Sequence, residues 1–192
     1  MPLRIAFFGT PDFAVPTLDA LLASHHQVAG VVTQPDRPRG RGHHVSDSPI
    51  KARATAAGVP ILQPLKLRDE SFLEAFRAWH VDLGVVAAYG RLLPQVLLDI
   101  PPHGLLNVHA SLLPAWRGAS PIQRAVLNGD AVSGVTIMRV VLALDAGAML
   151  ARVEVPIRPD DTSGSLEQRL AVPGALLLRE VVDRLGLSLI HI

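Results

Sequence analysis

Apolar residues in this chain fall in short blocks punctuated by turn residues. Residues 3–8 form an apolar run with one charge that stops at Gly9, the pattern of a buried parallel strand. Leu18, Leu21 and Leu22 follow at helical spacing, with Asp12 placed to cap the helix and Pro16 in its first turn. A second apolar block over residues 28–33 completes a strand–helix–strand unit of about thirty residues, which closes right-handed. The intervening turn reads GTPDF and not GxGxxG, so a dinucleotide fingerprint is missing.

The pattern breaks from Gln34 to Asp47. That stretch has prolines, glycines and arginines but no periodic apolar face, and it reads as a long exposed loop. Ser48 and Pro49 then supply an N-cap and a first helical residue, and Gly58 stands where a C-terminal cap belongs. Short strands are expected at 59–62 and 83–87, with a helix between them that buries Phe72, Phe76 and Trp79. A brief helix over 94–98 and a turn at 101–104 feed a further strand into Asn107. Ser120, Pro121 and Gln123 match a capping box with proline at the first position, opening a helix that ends at Gly129. Strands are expected at 135–141 and 150–155, then a helix from about residue 162. Pro173 is expected to break that helix before a last amphipathic segment, 176–185.

Strands and helices alternate to about residue 130, and strand-rich chain follows. This reads as an α/β fold, a mostly parallel, Rossmann-like sheet with helices on both faces and one later strand antiparallel. Length and composition agree. The 192 residues are 49% hydrophobic and 18% charged, enough for one domain with a real core and unlike a disordered chain. The chain has no apolar run of about eighteen residues and no signal-peptide core, so a cytoplasmic protein is expected. The absence of cysteine excludes disulfides and thiolate metal sites. The His25–His26 and His43–His44 pairs lack metal-site spacing, so no metal is expected.

A net charge of +1 does not announce a nucleic-acid partner, but Arg37, Arg39, Arg41, His43 and His44 crowd one segment. That segment is either a solvated excursion or a phosphate-backbone contact. Candidate chemistry gathers in NVHASLLP, from Asn107 to Pro114. In a strand, Asn107 and His109 point to the same face. The turn carrying Asp145 comes from another strand end, where parallel sheets place ligands. An amide N–H and an imidazolium can both donate to a developing oxyanion, and histidine can protonate a leaving nitrogen. A carboxylate would orient the imidazole or relay a proton. The bland alternative is a buried histidine bonded to backbone beside an asparagine that caps a turn.

The motifs FFGTPDFA, TQPDRPRGRG, AAYGRLLP, NVHASLLPAWRGASPIQRA, SGVTIM, LDAG and DTSGSL, spread over residues 3 to about 185, resemble the methionyl-tRNA formyltransferase family. NxHxSLLP with a downstream aspartate is shared by the wider folate-dependent formyl group. WRGASPIQ and QPDRPRGRG are more specific to the tRNA enzymes. The resemblance implies formyl transfer from 10-formyltetrahydrofolate, as co-substrate, to the α-amino group of initiator methionyl-tRNA. It makes Asn107, His109 and Asp145 the catalytic set. It puts Tyr89, Gly90, Arg91, Leu92, Ser111, Leu112, Leu113 and Pro114 around the folate, and Arg37, Arg39, Arg41, His43 and His44 on the tRNA acceptor end, with Arg41 the wedge residue. RGHH stands where the family commonly has RGKK, which weakens phosphate contact near neutral pH. Leu142 and Ala148 replace the polar residues or proline more usual beside the Asp145 turn.

The resemblance also implies a monomer of two domains. Residues 1–186 are expected to be the catalytic domain, and the chain stops before a C-terminal β-barrel that helps to bind tRNA. Residues 187–192, LSLIHI, match one reading frame of a transposon-end sequencing adapter and are expected to be a non-native tail. Two other functions fit the residues: a sister folate enzyme acting on a sugar amine or glycinamide ribonucleotide, and a non-enzymatic RNA- or nucleotide-binding module.

Overall fold

The computed structural model describes residues 1–36, 38, 39 and 44–188. Its frame is a seven-stranded sheet. In chain order its elements are β1 (Arg4–Gly9), a 3-10 turn (Asp12–Ala14), α1 (Val15–Leu22), β2 (Gln27–Val32), β3 (Pro38–Arg39), β4 (His44–Val45), α2 (Pro49–Ala56) and β5 (Ile61–Leu62). These are followed by α3 (Glu70–Arg77), β6 (Leu83–Ala87), α4 (Gln95–Leu98), β7 (Leu105–His109), α5 (Pro121–Asn128), β8 (Val132–Arg139), β9 (Met149–Pro156) and α6 (Ser163–Ser188). The strand order is β5-β2-β1-β6-β7-β8-β9, and β8 alone runs antiparallel to the rest.

Alternation along β1 builds a core on each face. Ile5 and Phe7 point into a cluster with Leu18, Ile50, Ile122, Leu170 and Leu178, so α1, α2, α5 and α6 cover that side. Ala6 and Phe8 point the other way, to Phe72, Phe76 and Leu97 of α3 and α4. Helices on both faces are what a two-sided apolar strand requires.

Several local expectations hold in detail. The Ser48 side chain accepts from Lys51 N at 3.1 Å, and Pro49 opens α2. Gly58 and Gly129 take left-handed φ values of 66° and 70° just past α2 and α5. Others fail for a physical reason. Asp12 makes no capping bond and lies inside the 3-10 turn. Trp79 falls just beyond α3 and packs on Gly30, where a Cβ would lie 2.4 Å from its ring. Ser120 has φ 60°, which turns its hydroxyl away from the first amides of α5, so the capping box does not form.

Pro173 does not break the last helix. α6 is continuous through Ser188, two residues beyond the boundary expected at 186. The buried side chains Leu170, Ala171, Ala175 and Leu178 dock both halves of α6 on the sheet. Gly174 lies so close to Val135 and Val108 that a Cβ would stand 3.1–3.3 Å from them. Packing of this extent offsets the one backbone bond that proline removes.

Candidate active site

β7 delivers the candidate chemistry. Leu106 and Val108 enter one core and Leu105 the other, so Asn107 and His109 share the face of Leu105. Val86, Asn107 and Met138 stand side by side across β6, β7 and β8 and form the floor of a cavity of about 580 Å³. The cavity therefore lies on the face of the sheet, bounded by the segments that follow β5, β6 and β8, and not wholly beyond the strand tips. Lys66 and Arg68 line one side. Arg91 lies with them, its guanidinium donating to the carbonyls of Pro64 and Leu65 at 3.0 and 2.8 Å. Asn107 and Asp145 line the other, with Val140, Leu142 and Leu144 adding apolar wall.

Asp145 joins the parts. Its φ of 45° lies in the left-handed region, which aspartate tolerates better than most residues. Gly147 lets this turn close on β8, since a Cβ there would stand 1.9 Å from the Arg139 carbonyl oxygen. The Asp145 carboxylate accepts from Gly118 N at 2.8 Å and from Asn107 Nδ2 at 3.5 Å, and lies 3.6 Å from His109 Nδ1. Both side chains are largely buried, 7% exposed for His109 and 12% for Asp145. His109 Nε2 is 3.1 Å from the Trp116 carbonyl oxygen. A carbonyl only accepts, so Nε2 carries a proton, and Nδ1 faces the carboxylate. The three expected catalytic residues thus meet, though His109 stands behind Asp145 and does not line the cavity.

The residues expected around the ligand divide into two groups. Arg91 and Leu92 line the cavity. Tyr89 does not. Its ring is buried in the α3–α4 core, edge-on to Phe8, and only its carbonyl faces out, accepting from Gln34 Nε2 at 2.8 Å. Gly90 borders a separate hollow with Gln34, Pro35 and Asp36. Ser111 and Leu113 are buried, Leu112 packs on Gly134, and Pro114 is exposed, none of them on the cavity wall. Ser111 Oγ donates to the Ala115 carbonyl at 2.6 Å, a local structural role. Among the cavity residues that sequence reasoning missed are Val86, Met138 and Val140, whose apolar side chains look like any core residue, and Lys66 and Arg68, which have no motif.

Of the basic segment, Arg37, Arg41 and His43 lie outside the described residues. Arg39 and His44 pair across β3 and β4, so a short hairpin interrupts what reads as loop. Its base is tied down. Lys51 Nζ contacts Asp36 on one side of the hairpin and, at 2.8 Å, Asp47 on the other. Gln63 Nε2 donates to Gln34 O and Asp36 Oδ1, both at 2.9 Å. Lys51, with help from Gln63, holds the Asp36 carboxyl below the usual range.

Among the described residues, the one cluster with metal-ligand spacing is His25, His26 and Asp183. His26 Nδ1 accepts from Leu3 N at 3.0 Å, which assigns the proton to Nε2, 3.0 Å from Asp183 Oδ1. That is the bonding of a structural histidine. No helix among the described residues is long and apolar enough to cross a membrane.

The formyl transferase family signature matches residues 3–182. The chain belongs to the formyl transferase family. It is 54% identical over 180 residues to the methionyl-tRNA formyltransferase of Rhizorhabdus wittichii and 52% identical over 183 residues to that of Thermus thermophilus. Those alignments take in 94% and 95% of this chain, and the chain spans 58% and 60% of the relatives' length. Among solved formyl transferases, the phosphoribosylglycinamide enzyme of Bacillus halodurans superposes with a TM-score of 0.80 at 22% identity, covering 95% of this chain and 94% of that one. Glycinamide ribonucleotide transformylase 1 of Geobacillus kaustophilus gives 0.78 at 27% identity, over 96% and 99%. The seven-stranded, mostly parallel sheet is that of the family fold.

Proposed function

We propose that this chain carries the formyl-transfer site of a methionyl-tRNA formyltransferase, with 10-formyltetrahydrofolate as donor and the α-amino group of initiator methionyl-tRNA as acceptor. The carrying observation is the convergence of Asn107 and His109 on Asp145 at the wall of a cavity large enough for a folate. The identity of about 50% with enzymes of that name supports the choice of acceptor.

The amine nitrogen attacks the formyl carbon and the carbonyl electrons move onto oxygen. Asn107 Nδ2 donates to that oxyanion. The cationic nitrogen gives a proton to the Asp145–His109 pair. The same pair returns a proton to the folate nitrogen as its bond to carbon breaks, so no net proton is needed. Lys66, Arg68 and Arg91 give the far side of the cavity a positive charge suited to the carboxylates of a folate tail. No metal takes part. The hairpin carrying Arg39 reads the tRNA acceptor end, and the reaction takes place in the cytoplasm.

A second reading, formylation of glycinamide ribonucleotide, draws on the superposed structures. Acceptor competition separates the two. With 10-formyltetrahydrofolate, charged initiator tRNA and glycinamide ribonucleotide together, formyl-methionine is the expected product. Replacement of both Arg39 and Arg41 by alanine is expected to lower transfer to tRNA and spare folate binding. Faster formylation of the small amine would overturn the assignment.

A further inference from the structure

The segment between β7 and α5 touches both halves of the proton-handling pair through backbone. The Trp116 carbonyl oxygen accepts from His109 Nε2, and the Gly118 amide donates to Asp145. Neither contact uses a side chain of the segment, so its conformation alone sets both. That conformation is unusual, since Trp116 has φ 56° and Ser120 φ 60°, in the left-handed region that bulky residues avoid. Such a backbone persists only where its surroundings hold it. The hold on Trp116 is visible. Its indole Nε1 donates to Asp130 Oδ2 at 2.6 Å, and Asn128 Nδ2 donates to the other carboxylate oxygen at 2.6 Å. Asp130 lies just past the end of α5, next to Gly129, and its amide bonds the Ala125 carbonyl at 3.1 Å. The carboxylate is therefore fixed to a helix end, a rigid post for the indole.

We propose that Asp130 is a positioning residue for formyl transfer. By anchoring the Trp116 indole, it keeps the Trp116 carbonyl against His109 and so keeps the imidazole proton on Nε2, with Nδ1 toward Asp145. The proposal rests on the reading that His109 and Asp145 handle the reaction's protons. It gives the tryptophan of WRGASP a task at the site although its ring does not line the cavity.

The test uses Asp130→Ala, Trp116→Phe, their combination and Asp130→Asn. Asparagine keeps an oxygen that accepts from the indole. Long-range proton–nitrogen NMR of the neutral His109 ring is expected to show the Nε2-protonated tautomer in the unaltered chain and in Asp130→Asn. A tautomer mixture is expected in Asp130→Ala and Trp116→Phe. Formyl transfer should fall about ten- to a hundredfold in kcat in those two, with KM for the folate donor within about twofold. The double variant should be no slower than either single one, because both break the same link. An unchanged His109 tautomer together with unchanged kcat in Asp130→Ala overturns the proposal. Unimpaired transfer by Asp145→Ala would instead overturn the reading on which it rests, and the tautomer measurement stands apart from that result.

Discussion

At the residue scale, Tyr89 separates what a motif promises from what a side chain does. AAYGRLLP puts the tyrosine beside the folate, yet the ring is 1% exposed and packs against Phe8. Burial pushes its hydroxyl pKa up, and the nearby Arg91 guanidinium works against the shift. Among the described residues the hydroxyl oxygen has no hydrogen-bond partner. Tyr89→Phe is therefore expected to leave folate affinity unchanged and unfolding free energy equal or about 1 kcal/mol higher, measured by urea denaturation and donor titration. A loss of affinity would put the hydroxyl at the ligand after all. The neighbouring Asn107 and His109 were legible in the sequence because strand alternation and polarity agree there. Trp116 and Gly118 were not, since they act through carbonyl and amide groups that every residue carries.

At the scale of elements, expectations succeeded where the signal is local. The Ser48–Pro49 start of α2 and the Gly58 and Gly129 ends depend on one or two residues and their own backbone, and each forms as read. They failed where a distant contact decides. Pro173 sits inside a helix whose two halves share one sheet face, and Ser120 follows a segment pinned to Asp145 at Gly118. Both carried a valid local rule that packing outweighs. β3 and β4 escaped notice because Pro38–Arg39 and His44–Val45 lack the apolar block that marks β5. The sheet itself was readable, including the single antiparallel strand, because buried parallel strands form solid apolar blocks and β8 does not fit the strand–helix alternation.

At the scale of the whole molecule, the N-terminus meets the last helix, α6. The Met1 amino group donates to the Gly186 carbonyl at 3.2 Å, and the fully buried His26 side chain sits between Leu3 and Asp183 of α6. Burial and the neighbouring His25 lower the His26 pKa from its ordinary value of 6.5. Asp183, itself 3.8 Å from Arg179, works against that shift, and the N-terminal charge adds to it slightly. The neutral ring is the one that fits, because Nδ1 must accept from Leu3 N. A histidine whose folded pKa lies below its unfolded value contributes stability that is complete above about pH 6.5. That stability is lost as pH falls through the folded value. The melting temperature should therefore drop on acidification below that point, and less so in His26→Gln, which keeps an acceptor for Leu3. Equal pH dependence in the two proteins, followed by thermal denaturation, would remove His26 from this role.

Formyl transfer assigned to Asn107 and Asp145 is the centre of the account, and single-turnover transfer tests it most directly. With the chain in large excess over charged initiator tRNA and with saturating 10-formyltetrahydrofolate, formyl-methionine should accumulate. Asn107→Ala should slow that step about a hundredfold or more, the usual cost of one oxyanion donor, with folate binding intact. Asp145→Ala should slow it at least as far. Transfer by either variant at a rate near that of the unaltered chain would contradict the assignment.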